Sequence, residues 1–248
     1  MHPDLKDAEL VVVSDIHIRG AEDEKSQALL RLIGQIREAK PKYFVLLGDI
    51  FDFYFGASKY FHKKFAKLGS ALSDLSNSGV QVVFFEGNHE FDMHKAPWTG
   101  VQFVGEGDRI LPLGADRAVK MAHGDLVYAS PGYLRFRNFV KSKSVRTIAR
   151  LMPSLFLDSY ALWHASHSRQ QERPLNQKSL EERAFSWLDE GPVKAKVGVI
   201  GHFHLPIAAQ SPDKNKHIFC MHSWDQPSFL LWKKNETLPI RVFLNSET

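Results

Sequence analysis

Residues 10–17 read LVVVSDIH, an apolar run that gives way to an aspartate and a histidine at its end. The pattern returns three times: residues 43–52 are YFVLLGDIFD, residues 80–90 are VQVVFFEGNHE and residues 197–204 are VGVIGHFH. Short apolar runs bounded by glycine and polar residues read as buried strands that end in loops. Asp15, His17, Asp49, Asn88, His89, His202 and His204 should therefore gather on loops at one edge of a sheet. A fifth block, His123-Gly124-Asp125, adds another imidazole. On extended backbone, the spacing of two in Asp15/His17 and in His202/His204 would turn both members of a pair the same way. Each pair would then serve one site.

This donor set limits the chemistry. Carboxylate, amide oxygen and imidazole suit Mn²⁺, Fe²⁺ or Zn²⁺, and the lone cysteine, Cys220, rules out a thiolate zinc site. If Asp49 bridges, the seven candidate ligands Asp15, His17, Asp49, Asn88, His123, His202 and His204 give each of two ions four protein contacts and leave positions for water and substrate. Two ions held in this way ionise a water and clamp the attacking and departing oxygens of a phosphoryl transfer.

The rest of the chain is compatible with one enzyme domain carrying an insertion. Its 248 residues, 44% of them apolar, can bury a substantial core. A single cysteine argues against a disulfide framework and for a reducing compartment. Met1 to Glu9 is polar and mixed in charge, which reads against a signal peptide. No run approaches the roughly 18–20 apolar residues of a spanning helix, so any membrane contact should be peripheral. Apolar residues recur at helical period over 26–36 and 65–75, which predicts helices flanking the sheet and a regular βα alternation up to His123. The aromatic, strand-like stretch from Ile218 to Phe243 is expected to complete a second sheet.

Between the fourth and fifth blocks, residues 126–196 read as an inserted helical cap on a core of 1–125 and 197–248. From Leu126 to Leu157 there is no acidic residue, whereas Arg135, Arg137, Lys141, Lys143, Arg146 and Arg150 are basic. Phe136, Phe139, Val140, Val145, Ile148, Leu151 and Met152 interleave with them at mostly three- and four-residue steps, which predicts an amphipathic helix broken near Pro153. A basic face beside an apolar one is the composition of a helix that meets anionic lipid. Because the stretch follows a ligand loop directly, its residues can overhang the site, and an apolar groove beside phosphate-binding metals suits an amphiphilic phosphorylated substrate.

The order and wording of the five blocks resemble the calcineurin-like metallophosphoesterases, whose pattern runs D-x-H, G-D-x-x-(D/E), G-N-(H/R)-(D/E), H-G-(D/H), G-H-x-H. The resemblance implies an α/β fold, a two-sheet αββα sandwich with the cap as an insertion. It also implies that Asp15, His17, Asp49 and His204 hold one metal, and that Asp49, Asn88, His123 and His202 hold the other, with Mn²⁺ the expected ion. His89 matches the position that stabilises a phosphoryl oxygen or protonates a leaving group, so the catalytic set is His89, Asn88 and Asp49. Glu90 could orient His89, or it could, like Asp52 and Asp125, serve in loop capping and hydrogen bonding behind the ligands.

Gly132-Tyr133-x-x-Phe136-Arg137, the run at 151–156 and the wording of 48–56 resemble one branch, the UDP-2,3-diacylglucosamine pyrophosphatases of lipid A biosynthesis. That branch releases UMP and a diacylglucosamine 1-phosphate. The likeness implies an amphiphilic nucleotide-sugar lipid as substrate and a place on the inner face of the inner membrane, on the cytoplasmic side. It also implies substrate contacts from Tyr133, Arg137, Ile148, Leu151, Met152 and Phe156, with Ser166, Arg169 and Lys178 reaching sugar or phosphate. The branch usually carries arginine after the third-block Asn, where this chain has His89. Two other readings stay open. A nuclease or cyclic-nucleotide phosphodiesterase would fit the isoelectric point near 9.0, but its cap would be expected to set aromatic stacking platforms beside the basic residues, where this insertion is mostly aliphatic, so no nucleic-acid partner is expected. A non-enzymatic scaffold would have no reason to keep all seven ligands.

Overall fold

The structure is a computed structural model that describes residues 3–114, 117–142, 144–147 and 176–244. The strands are β1 (Ala8–Val13), β2 (Tyr43–Leu46), β3 (Tyr54–Phe55), β4 (Gln81–Phe85), β5 (Glu90–Phe91), β6 (Gln102–Val104), β7 (Asp108–Pro112), β8 (Ala118–Ala122), β9 (Val197–Ile200), β10 (Ala208–Gln210), β11 (His217–Cys220), β12 (Ser228–Lys233) and β13 (Ile240–Phe243). The helices are α1 (Glu24–Ala39), α2 (Lys59–Lys64), α3 (Ala66–Asn77), α4 (Pro131–Val140) and α5 (Gln177–Leu188).

One sheet runs β13-β12-β1-β2-β4-β6 and the other β10-β11-β9-β8-β7. Side chains alternate across a strand, so each strand of the first sheet supplies two layers. Val11, Val13, Phe44, Leu46, Val82 and Phe84 face Leu29, Leu32 and Ile36 of α1 and Leu68, Leu72 and Leu75 of α3. Leu10, Val12, Val45, Val83, Phe85 and Trp232 face Val119, Met121, Val197 and Val199 of the second sheet. The far side of that sheet is covered by Leu180, Ala184, Trp187 and Leu188 of α5 packed on Ile200, Ile218 and Cys220. The layers are helix, sheet, sheet, helix. A strand buried on both faces must be apolar throughout, which is why β1, β2, β9 and β12 are nearly continuous apolar runs.

The strands expected before the ligand blocks form within a residue or two, and the two expected helices become α1 and α3. Three expectations fail. The βα alternation stops at β4: only β5 and a single 3-10 turn precede β6, and β7 and β8 make an antiparallel hairpin with no helix between them. Of the stretch 218–243, only β11 enters the second sheet. β12 pairs antiparallel with β1, Val11 opposite Leu231, because a strand apolar on both faces is satisfied only in the interior of the sandwich.

The third failure concerns the basic stretch. α4 starts at Ser130, whose side chain caps the Tyr133 amide at 3.1 Å, and closes at Val140; residues 144–147 are helical again, and the stretch from there through Pro153 lies outside the described residues. Three of the charges of this stretch are tied to acidic residues of the core, whereas Arg135 is exposed. Arg137 lies between Asp125 and Glu106, Lys141 is 3.8 Å from Glu86, and Arg146 is 2.9 Å from Asp92. Leu134 and Phe139 are exposed, as are Arg135 and Asn138. The acidic residues on core loops draw the cations in because a buried carboxylate needs a partner, so sequence periodicity alone could not tell which face would be wet. Lys143, Ile148, Arg150, Leu151, Met152, Phe156, Ser166 and Arg169 lie outside the described residues.

α5 is fixed to the second sheet by Lys120 of β8, which is buried. Its ammonium donates to the carbonyls of Trp187 at 2.6 Å and Glu190 at 2.8 Å, and it stands 3.2 Å from Asp108. The Trp187 indole N–H donates to the same aspartate at 3.0 Å. Replacing Lys120 with Met keeps the stem but leaves helix-end carbonyls unpaired. We expect about 1–3 kcal/mol less stability in urea unfolding, with catalytic activity retained in the folded fraction.

Candidate active site

The ligand-type residues follow β1, β2, β4, β8 and β9, at one edge where the two sheets meet. The spacing-of-two argument assumed extended backbone, and the loops are not extended. Asp15, His17, Asp49, His202 and His204 all have positive φ, between 51° and 70°. A left-handed residue reverses the chain direction locally, so His202 and His204 diverge instead of sharing a site. Asp15, His17 and His204 form one group that could hold a metal, and Asp49, His123 and His202 form another. His17 and Asp49 also group with His89, and within each group the ligand atoms lie within 4.8 Å of one another. The His17 ring is 5.0 Å from that of His89 and 5.5 Å from that of His204.

Glycines let these loops approach each other. At Gly48, φ is +86°, and at Gly87 an added Cβ would lie 2.1 Å from Asp49 Oδ1. Glu90 then joins the two loops. Its carboxylate accepts from the backbone N–H groups of Asp49 (2.9 Å), Ile50 (2.7 Å), Phe51 (3.1 Å) and Gly87 (2.8 Å). The residue that orients His89 is Asp52, whose carbonyl takes the His89 Nδ1 proton at 2.7 Å.

Two observations fit a cation. His123 Nδ1 donates to the Leu47 carbonyl at 2.9 Å, which leaves Nε2 facing oxygens of Asn88 at 3.2 Å and Asp49 at 3.3 Å. Both ring nitrogens of His17 are buried without a hydrogen bond. Nitrogen lone pairs and acceptor oxygens converging on one point need a positive charge between them.

Among the protein charges alone, burial opposes ionisation of Asp49, but His123, His89 and His17 outweigh it and hold the carboxylate well below its usual range. Asp15 is lowered in the same way, against burial, by His204 and His123. Burial followed by the charge of Asp49 pushes Glu90 up to about 8, while the amides donating to it pull the other way. His202 falls to about 4 through burial and then His123. Burial would lower His123 as well, but Asp49 raises it to about 10. Carboxylates that stay ionised beside imidazoles competing for protons suit a divalent ion, which would bind them and displace those protons.

Of the residues expected to contact substrate, Tyr133 lies at the site, its ring 6.3 Å from His202 and its hydroxyl 3.1 Å from Asp125. Arg137 is buried, donating to Asp125 at 2.6 Å. Lys178 is exposed in the first turn of α5. Two residues at the site escaped the sequence reading. Ser14 donates to Asp15 at 2.6 Å, and Arg19 Nε donates to Asp52 at 2.9 Å. Neither carries a spacing signal.

The sequence profile described as calcineurin-like phosphoesterase matches residues 8–206. A UDP-2,3-diacylglucosamine hydrolase of Pseudomonas entomophila (strain L48) is 29% identical over 208 residues, covering 79% of this chain and 82% of its own. Another, of Pseudomonas savastanoi pv. phaseolicola (strain 1448A / Race 6), is 27% identical over 247 residues, covering 94% and 95%. Among solved structures, Vacuolar Protein Sorting 29 of Cryptosporidium parvum superposes with a TM-score of 0.43 at 14% identity, over 96% of this chain and 92% of that one.

Gly87→Ala tests the packing of the loops. The new methyl group must displace the Asp49 carboxylate, so divalent-metal affinity should fall by about 10–100-fold or more while the circular dichroism spectrum stays native. Titration with Mn²⁺ followed by calorimetry reads the first, and a variant that binds metal normally would overturn the contact.

Proposed function

Because the chain belongs to the calcineurin-like phosphoesterase family and is a metal-dependent phosphoesterase, we propose that it cleaves the pyrophosphate bond of a nucleotide-activated glycolipid. The reaction would convert UDP-2,3-diacylglucosamine to UMP and 2,3-diacylglucosamine 1-phosphate. The observation that carries this reading is the likeness to hydrolases of that name, which extends over 94% of the chain in one case.

In this reading Asp15, His17, Asp49 and His204 would hold one divalent ion and Asp49, Asn88, His123 and His202 the other, with Mn²⁺ the ion of first choice. Such ions supply an ionised water and charge neutralisation at the scissile phosphate. The protein supplies position. Glu90 fixes the Asp49 and Asn88 loops relative to each other, and Asn88 presents its carbonyl oxygen beside His123 Nε2. His89 Nδ1 is committed to the Asp52 carbonyl, so Nε2 donates to a phosphoryl oxygen only when the ring takes a second proton. Burial lowers the pKa of the ring and Asp49 raises it, and an anionic phosphate at Nε2 would add to the second effect. Donation to the transferring group is then coupled to substrate occupancy.

Residues 126–196 would form the insertion that caps the site, although its last helix, α5, packs on the second sheet. Tyr133 lies nearest the His123/His202 side, and Arg137 acts through Asp125 instead of touching substrate. Ile148, Leu151, Met152 and Phe156 would receive acyl chains, with Ser166, Arg169 and Lys178 placed for the polar headgroup. No described helix is long and apolar enough to cross a membrane, so we place the enzyme at the membrane surface, on the cytoplasmic face, where such a lipid is reached.

The test is release of UMP from UDP-2,3-diacylglucosamine by Mn²⁺-loaded protein. Asp49→Ala should abolish turnover, and elemental analysis should find neither ion retained, because removing the shared anion leaves two cations repelling each other in a partly dry cleft. Two ions per chain in that variant would defeat the ligand assignment. Failure on the lipid, with turnover of bis(4-nitrophenyl) phosphate, would point to a nuclease or cyclic-nucleotide phosphodiesterase. Replacing both Leu151 and Phe156 with Ser should cut lipid turnover and spare the small diester, since remote binding energy helps only a substrate that has the remote part.

A further inference from the structure

Asp52 connects three groups around the site. Its Oδ1 is 3.4 Å from His17 Nδ1, its Oδ2 accepts from Arg19 Nε at 2.9 Å, and its backbone carbonyl holds His89. One carboxylate therefore lies beside a candidate metal ligand with one oxygen, without a hydrogen bond to it, and binds a guanidinium with the other. The Asp52 side chain is 8% exposed and that of Arg19 is 59% exposed, so the arginine stands at the rim with its inner edge anchored. Only Nε is used. Among the described residues the two terminal amino groups of Arg19 make no hydrogen bond, whereas the other cations around the site are committed, Arg137 to Asp125 and Glu106, Lys141 to Glu86 and Arg146 to Asp92.

We propose that Arg19 is a substrate-binding residue that takes the second phosphate of a diphosphate, the one a single bridging oxygen away from the phosphorus under attack. The assignment rests on reading the site as a diphosphate hydrolase. A diphosphate diester carries one negative charge on each phosphate. The metal groups and His89 meet the first charge, and the second requires a cation within a carboxylate's width of His17. A guanidinium suits this task because its planar fork pairs two N–H groups with two phosphate oxygens. With Nε held by Asp52 the fork is already oriented, so little rotamer freedom is lost on binding. A lysine could supply the charge but not the paired geometry.

Calorimetry on the Mn²⁺-loaded protein, with Mn²⁺ matched in cell and syringe, separates this role from a structural one. Inorganic pyrophosphate should bind wild type more tightly than inorganic phosphate. Arg19→Ala should weaken pyrophosphate binding by on the order of 10- to 100-fold and phosphate binding by no more than about 3-fold, the residual allowed for a rim charge, with metal stoichiometry unchanged. Arg19→Lys should recover only part of the loss, and added guanidinium ion should restore pyrophosphate binding to the Ala variant. Equal losses for both anions, or lost metal, would mean that Arg19 acts only by holding Asp52 and His17. An unchanged pyrophosphate affinity, or a wild type that does not prefer pyrophosphate, would also overturn the proposal. Release of UMP by wild type reports separately on the lipid substrate.

Discussion

A single buried carboxylate, Glu90, accepts four backbone N–H groups from the loops that carry Asp49 and Asn88. Loops that follow separate parallel strands have no ladder to hold them once the strands end, so their amides need another acceptor. Glu90 provides one for both loops, and it does so fully buried, beside another carboxylate that disfavours its charge. Leaving either loop unpaired would cost about 1–3 kcal/mol per buried amide, which makes the arrangement of the two loops effectively fixed. The position of Asp49 relative to Asn88, and through them to His123, follows from that bond set.

The same edge stores strain. Five candidate ligands adopt left-handed backbone, at roughly 1–2 kcal/mol each for L-residues. Aspartate and histidine tolerate this region better than most residues, and left-handed residues let a chain leaving a strand fold back at once, which brings side chains from both sheets within a few ångströms. The converging carboxylates and imidazoles compete for protons, and the His17 ring nitrogens are buried without a hydrogen bond. Rigid packing of the sandwich keeps this arrangement in place, and a cation relieves much of it.

The sequence carried the metal groups and the strands before them because those features are local: an apolar run, a glycine, a ligand. It carried the layers less well, because β12 and β13 reach the first sheet through long-range pairing that Ile218 to Phe243 does not encode locally. It misled at two places where the backbone departs from an ideal. The pairing of His202 with His204 assumed extended geometry, and the basic side of the α4 stretch was read as a face that meets anionic lipid. Arg19 was not legible at all, since nothing in its neighbourhood distinguishes it until Asp52 is placed beside it in space.

The inward turn of the basic residues changes how charge reaches the substrate. Arg137, Lys141 and Arg146 are tied to Asp125, Glu86 and Asp92, which flank or follow the ligand loops. Lys141 also reaches towards the Gly87 carbonyl, at 3.4 Å, and burial lowers its pKa while Glu86 opposes that effect. These cations are largely neutralised and hidden, so they can fix α4 against the site but contribute little field at the mouth. What α4 offers to solvent is mixed: Leu134 and Phe139 beside Arg135 and Asn138. The buried cations thus serve to seat α4 on the ligand loops, and charge that is free to meet an anion has to come from elsewhere: from the candidate metal groups and, among the described residues beside Asp52, from Arg19.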